Sequence, residues 1–146
     1  MNAGLDTSVV VRLLVGEPKE QAAIGWQFLE ECQSTGTRAH VCELVVAESF
    51  FVLQHHYGVP LAATLQQLAA LLTDPRVIAD ASVLKVLGTP NLAAAKPGFV
   101  DRLIHGLYQA QGESLVTFDN AAARLPNTRL LTPWPAPLRR RPPRRD

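Results

Sequence analysis

Ala3-Gly4-Leu5-Asp6-Thr7-Ser8, running directly into Val9-Val10-Val11-Arg12-Leu13-Leu14, is the stretch whose reading decides the fold. Small and apolar residues lead into an acid, two hydroxyl residues follow, and an apolar pattern long enough for a helix comes next. This predicts a buried strand ending at Asp6, with Thr7 and Ser8 capping the helix behind it. An acid at the carboxyl end of a strand, where a helix begins, sits at the ligand crevice of an open α/β sheet. Alone, Asp6 is adequately explained as a helix cap. Its meaning depends on whether other acids converge on it.

Downstream, strands and helical patterns alternate. Gly16-Glu17-Pro18 ends the first helix, and a second is predicted from about Lys19 to Cys32, with Gly36 as its breaker. Arg38 to Val41 reads as a short strand. Helices follow over Glu43–Tyr57, from Pro60 to Asp74-Pro75, over Ala81–Leu87 and over Gly98–Gln111. Val77-Ile78 is too short to assign, and Gly88 to Pro97 reads as a loop. Ser114–Phe118 and Thr128–Leu131 are predicted strands, with a short helix, Asp119–Leu125, between them. Such alternation predicts an α/β fold whose mostly parallel sheet is covered by helices on both sides.

Composition supports a single folded domain. The chain has 146 residues, 47% of them apolar, and a formal net charge of +1, so it can bury a core and is not uniformly basic. The balance conceals an asymmetry. Leu138 to Asp146 hold five of the 14 basic residues and one of the 13 acids, leaving +4 on the tail and −3 on the remainder. Six of the 11 prolines lie at or beyond Pro126, which predicts an extended tail after Pro133. Two cysteines without a C-x-x-C pair, no signal-peptide pattern and no membrane-length apolar run predict a cytoplasmic domain.

Three more acids fall at unusual places. Asp119 closes its strand as Asp6 closes the first. Glu48 falls within an expected apolar stripe of Val41, Leu44, Val45, Phe51, Val52 and His55, where a carboxylate is costly unless paired or bound to a metal. Asp101 lies in the first turn of a helix whose expected stripe is Val100, Leu103, Ile104 and Leu107. Each has an ordinary alternative: a cap for Asp119, an acid reaching out at the stripe's edge or a salt bridge to Arg38 or Arg12 for Glu48, and an acid complementing the helix dipole for Asp101. If the four converge, like charges repel and a cation relieves them. All-carboxylate ligands select Mg²⁺ or Mn²⁺ over Zn²⁺. Such a cluster is equipped for attack of water on a phosphodiester.

The stretches carrying these acids resemble the PIN-domain ribonucleases, and within them the VapC-type toxins of bacterial toxin–antitoxin pairs. Leu5 to Leu14 is similar to the family's first motif. Val46-Ala47-Glu48-Ser49-Phe50-Phe51-Val52-Leu53, ending in Tyr57-Gly58, is similar to its glutamate-bearing helix. Phe99-Val100-Asp101-Arg102-Leu103-Ile104 resembles the third motif, and Val116-Thr117-Phe118-Asp119 the fourth. The resemblance implies a PIN-like three-layer sandwich over 1–132, followed by the Pro/Arg-rich tail, 133–146. It implies that Asp6, Glu48, Asp101 and Asp119 are metal-binding catalytic acids for Mg²⁺ or Mn²⁺, supported by Ser8 and Thr117. It also implies an RNA substrate, a homodimer, and a small VapB-like antitoxin that blocks the acidic cleft. Two positions depart from the common pattern: Gly98 stands where many relatives carry another acid, and Ser8 where Asn is frequent.

Arg12, Lys96, Arg102 and Arg124 flank the acids in sequence and are candidates for holding an RNA backbone, as is the Arg-rich tail. His40, His55, His56 and His105 show no metal-ligand spacing and read as structural or surface residues. Trp26 reads as a core or dimer contact. Two other classes fit parts of the pattern: a receiver-like signalling domain, for which the last strand supplies Arg129 where a Lys is needed, and a PIN-like binding module without catalysis.

Overall fold

Residues 1–132 are described by the computed structural model; the expected tail, 133–146, lies outside the described residues. β1 (Ala3–Gly4) ends two residues short of Asp6, because Asp6 already forms the N-cap of α1 (Thr7–Val15). The helix stops at Gly16, whose φ of 78° is the left-handed conformation that glycine adopts without strain. α2 (Lys19–Thr35) runs three residues beyond Cys32 to a second left-handed glycine, Gly36.

β2 (Ala39–Val41), α3 (Glu43–His55), α4 (Leu61–Leu72) and β3 (Val77–Ala79) follow. The three strands pair in parallel in the order β1-β2-β3. Val77-Ile78, unassignable in isolation, becomes strand because β2 offers it a ladder. Right-handed crossovers stepping the same way bring α1 to α4 onto one face, and α1 accordingly packs against α2, α3 and α4. The core between them includes Val10, Leu29, Val41, Val46, Leu53, Leu68 and Leu72, all essentially inaccessible to solvent.

After β3 come α5 (Ala81–Leu87), α6 (Phe99–Ala110), β4 (Leu115–Thr117) and β5 (Thr128–Leu130). The expected loop at Gly88–Pro97 contains one 3₁₀ turn, Leu92–Ala94, and the short helix expected after Asp119 is another, Ala122–Arg124. The class is α/β with a parallel sheet flanked by helices, as expected. The sheet is not continuous, however. β4 and β5 form a separate parallel pair, because β1 offers only two residues for pairing and no ladder joins it to β4 among the described residues. Val116 is accordingly 53% exposed rather than covered.

Two helix faces differ from the expected ones. α3 buries Val46, Ser49, Phe50 and Leu53, while Leu44 is 82% exposed and Phe51 46%. The helix is apolar nearly all round, so its periodicity does not indicate which side meets the core. Glu48 is therefore exposed rather than inside the packed face. On α6, Phe99 and Leu103 are buried and Ile104 faces solvent. Glu43, in the first turn of α3, is half-buried and accepts the Ser82 hydroxyl at 2.7 Å, tying α3 to α5.

Away from the acids, the Arg76 guanidinium donates to Asp74 at 2.8 Å and holds that carboxyl below the usual range. It also lies 5.4 Å over the Trp26 ring. Trp26 is thus a partly exposed cation–π partner. Cys32 and Cys42 are free thiols. No described helix is long and apolar enough to cross a membrane.

Ser49 is fully buried, and its hydroxyl lacks a hydrogen-bond partner. Burying an unsatisfied hydroxyl costs about 1 kcal/mol or more, so Ser49→Ala is expected to stabilise the domain by about that amount. A thermal melt should show a rise of about 2–4 °C for that gain; a fall would reveal that the hydroxyl is satisfied in solution.

Candidate active site: an acidic hollow between two helices

Asp6 and Glu48 line one hollow of about 440 Å³. From α1 come Thr7, Ser8, Val11 and Arg12; from α3 come Glu48 and Val52, with its C-cap His56 and then Tyr57 just beyond. Residues 48, 52 and 56 are spaced by four and share one helical side, which turns Glu48 toward the start of α1. Both acids are exposed, so neither bears the desolvation cost expected of a buried carboxylate.

Asp6 is held by its role as a cap. The Thr7 N–H donates to its Oδ1 at 2.7 Å, and the Ser8 hydroxyl donates to Oδ2 at 3.3 Å. The ordinary reading of Asp6 as a helix cap is thus correct and compatible with a second role, since each carboxylate oxygen keeps a free lone pair. Ser8 provides the expected support. Arg12 lines the same hollow, but its Nε donates to Gln21 and its Nη1 to the Ser8 carbonyl at 3.0 Å. It is fixed beside the acids without neutralising them.

Asp101 lines a different hollow, between Phe50, Phe51 and Gln54 of α3 and the start of α6. The two hollows flank the same helix, with Phe51 one turn beyond Glu48. The Phe50 and Phe99 rings, 4.8 Å apart, lock the helix bearing Glu48 to the helix bearing Asp101. Gly98, where relatives often carry an acid, is the N-cap of α6 and supplies no side-chain cap.

Asp119 is exposed on the turn after β4. Its Oδ1 accepts the Ala121 N–H at 2.8 Å, while its own N–H donates to Thr117 Oγ1 at 3.0 Å. Thr117 therefore braces the Asp119 turn. Among the described residues, no three acids, histidines or cysteines are grouped closely enough to hold an ion. The structure thus brings together Asp6 and Glu48, and leaves Asp101 and Asp119 outside their hollow.

Two exposed carboxylates still suit one cation. Mg²⁺ retains several waters and is commonly bound through one or two carboxylates plus substrate phosphates, so a complete protein cage is not required. The donor chemistry of Asp6 and Glu48 fits such an ion, and it offers no soft or imidazole ligand at either position.

The flanking cations are scattered. Lys96 and Arg124 are exposed and line neither acid hollow. Arg102 donates through Nε to the Pro97 carbonyl at 2.8 Å and turns away from the Asp101 hollow. His40 pairs with Asp80 at 3.3 Å, and His105 Nε2 lies 2.7 Å from the Pro126 carbonyl, so both are structural. His56 is different. It is exposed, as a surface histidine is expected to be, and borders the acids with Tyr57, eight residues from Glu48 on the same helical side.

The fold and site together define an α/β domain with two exposed carboxylates lining one hollow beside the carboxyl edge of a parallel sheet. The PIN domain family model matches residues 4–127, and the chain belongs to that family. PIN domains are typically nucleases and generally use divalent metals. Compared with curated proteins, the chain matches none.

Proposed function

We propose that this PIN-domain protein is a Mg²⁺- or Mn²⁺-dependent endoribonuclease. In this reading it is the toxin of a toxin–antitoxin pair and restrains growth by cutting RNA once a small VapB-like antitoxin is lost. It acts in the cytoplasm as a homodimer. The observation that carries the nuclease reading is the pair Asp6 and Glu48, drawn from separate helices into one hollow of a PIN domain. The motif resemblance supports the toxin assignment.

Asp6 and Glu48 hold the ion in this reading, while Asp101 and Asp119 extend the negative surface along the substrate path. When bound, the ion supplies an acidified water and neutralises charge on the phosphate. Ser8 and the Thr7 amide keep the Asp6 carboxylate oriented, and Thr117 braces the turn of Asp119. Arg12, fixed by Gln21 and the α1 backbone, lies where it can contact a phosphate of the strand.

A second reading, a PIN-like module that binds RNA or protein without cleaving it, is favoured by one observation: no three-ligand group exists among the described residues. Incubation with tRNA, rRNA and mRNA panels, with and without EDTA, separates the two. The nuclease reading expects endonucleolytic products that vanish on chelation; their absence with every RNA assigns the chain to the second. In parallel, Mn²⁺ at about 100 times its dissociation constant should stabilise the native state by about 2.7 kcal/mol. The resulting rise in melting temperature should be much smaller in Glu48→Gln. Equal rises in both proteins place the ion elsewhere.

A further inference from the structure

α5 and α6 face each other through matching helical rows. Ser82, Lys85 and Val86 project from one, with Thr89 just past its end; Arg102, His105, Gly106 and Gln109 project from the other. Spacings of three and four place each row on a single helix face. Between them runs a cleft of about 480 Å³, whose lining also includes Leu125 and Pro126.

Val86 and Gly106 form its floor. A β carbon at Gly106 would stand 3.6 Å from Val86 Cγ2, ordinary contact distance, so the two helices already meet closely along this floor. The rim is polar and cationic. Lys85 is exposed, and neither it nor Arg102 has a carboxylate partner among the described residues, where the recorded ion pairs are His40–Asp80 and Asp74–Arg76. No acid lines the cleft. Glu43 is drawn to the Ser82 hydroxyl but is not part of the lining. The bond from Arg102 Nε to the Pro97 carbonyl fixes the guanidinium and leaves its terminal N–H groups to donate elsewhere.

We propose that this cleft binds the phosphodiester backbone of single-stranded RNA beside the acidic region. The inference rests on the nuclease reading and extends its substrate path. Asp101 and Arg102 are consecutive on α6, and successive helical side chains point about 100° apart. Asp101 lines the largely apolar hollow beside α3, next to the one that holds Asp6 and Glu48, and Arg102 lines the cationic cleft. A strand crossing the first turn of α6 therefore meets both. Thr89 and Gln109 add neutral hydrogen-bonding groups, suited to a backbone held without base preference.

The test is fluorescence anisotropy of an oligoribonucleotide of about 20 nucleotides, titrated in EDTA at a series of NaCl concentrations. For single strands, each phosphate contact contributes about 0.7 to the slope of log affinity against log salt. Lys85→Gln should therefore flatten the slope by about 0.7, and Lys85→Gln with Arg102→Gln by about 1.4. Lys19→Gln, on exposed α2 surface, should leave it unchanged. Both cleft variants matching Lys19→Gln would overturn the proposal, as would a wild-type protein that binds no RNA. A Lys85-dependent affinity for poly-glutamate with an unchanged RNA slope would reassign the cleft to an acidic protein partner. Cleavage is scored separately on the same protein preparations with Mg²⁺ in place of EDTA: cleavage with an unaltered slope rejects only the cleft, and an altered slope without cleavage rejects only the nuclease.

Discussion

Asp6→Asn is expected to lose metal-dependent RNA cleavage while melting close to the wild-type temperature. Asparagine caps a helix about as well as aspartate, so the bond from the Thr7 N–H survives and α1 keeps its start. What disappears is the charge beside Glu48. Loss of a residue that merely orients a metal ligand commonly costs 10–100-fold, so loss of the ligand's own charge should cost at least about a hundredfold in rate. Asp101→Asn should likewise suppress cleavage, although Asp101 lines the neighbouring hollow. Initial cleavage rates and thermal melts check both. Wild-type rates in the two variants would reject the acidic hollow as the active site.

Phe50→Ala should produce the largest loss of stability tied to the site. Phe50 is 7% exposed, and its ring meets Phe99 at 4.8 Å and Phe51 at 5.5 Å. Truncating a buried phenylalanine costs about 3–5 kcal/mol, a large part of the roughly 5–15 kcal/mol available to a domain. Urea denaturation should show a markedly lower midpoint. Phe50→Leu retains most of the volume and should fold, yet it loosens the contact that sets α3 against α6. Activity should then fall further than stability, because Glu48 and Asp101 ride on those two helices. A leucine variant with full activity would show that the aromatic pair does not position the acids.

Much of the fold was legible along the chain. The bounds of α5 agree with expectation to the residue, and α1 begins at the expected hydroxyl pair. Glycines at 16 and 36 end their helices in the left-handed conformation that their identity predicts. These features are local, governed by caps, breakers and spacing within a few residues. Asp6 was legible as a cap for the same reason, and its bond from the Thr7 N–H bears this out; Asp119 instead closes a turn onto the Ala121 N–H, and Ala121 is the N-cap of the short turn that follows.

The faces were not legible. α3 is apolar nearly all round, so the choice of Val46, Ser49, Phe50 and Leu53 as its buried side follows from what α1 and α4 offer as partners. That rotation moved Glu48 from the expected interior to the surface of the hollow, and it brought His56 and Tyr57 with it. The sheet tells the same story, since strands of two or three residues carry too little pattern to reveal their neighbours.

The sequence by itself determined the α/β class and the order of the elements apart from β3, because helix ends and strand ends are written in adjacent residues. Only the tertiary structure decided that Asp6 and Glu48 share a hollow while Asp101 opens onto the next one. That outcome depends on how packed helices rotate and cross to fill a common core. Such rotation is a collective property of side-chain volumes far apart in the chain, and no local stretch encodes it.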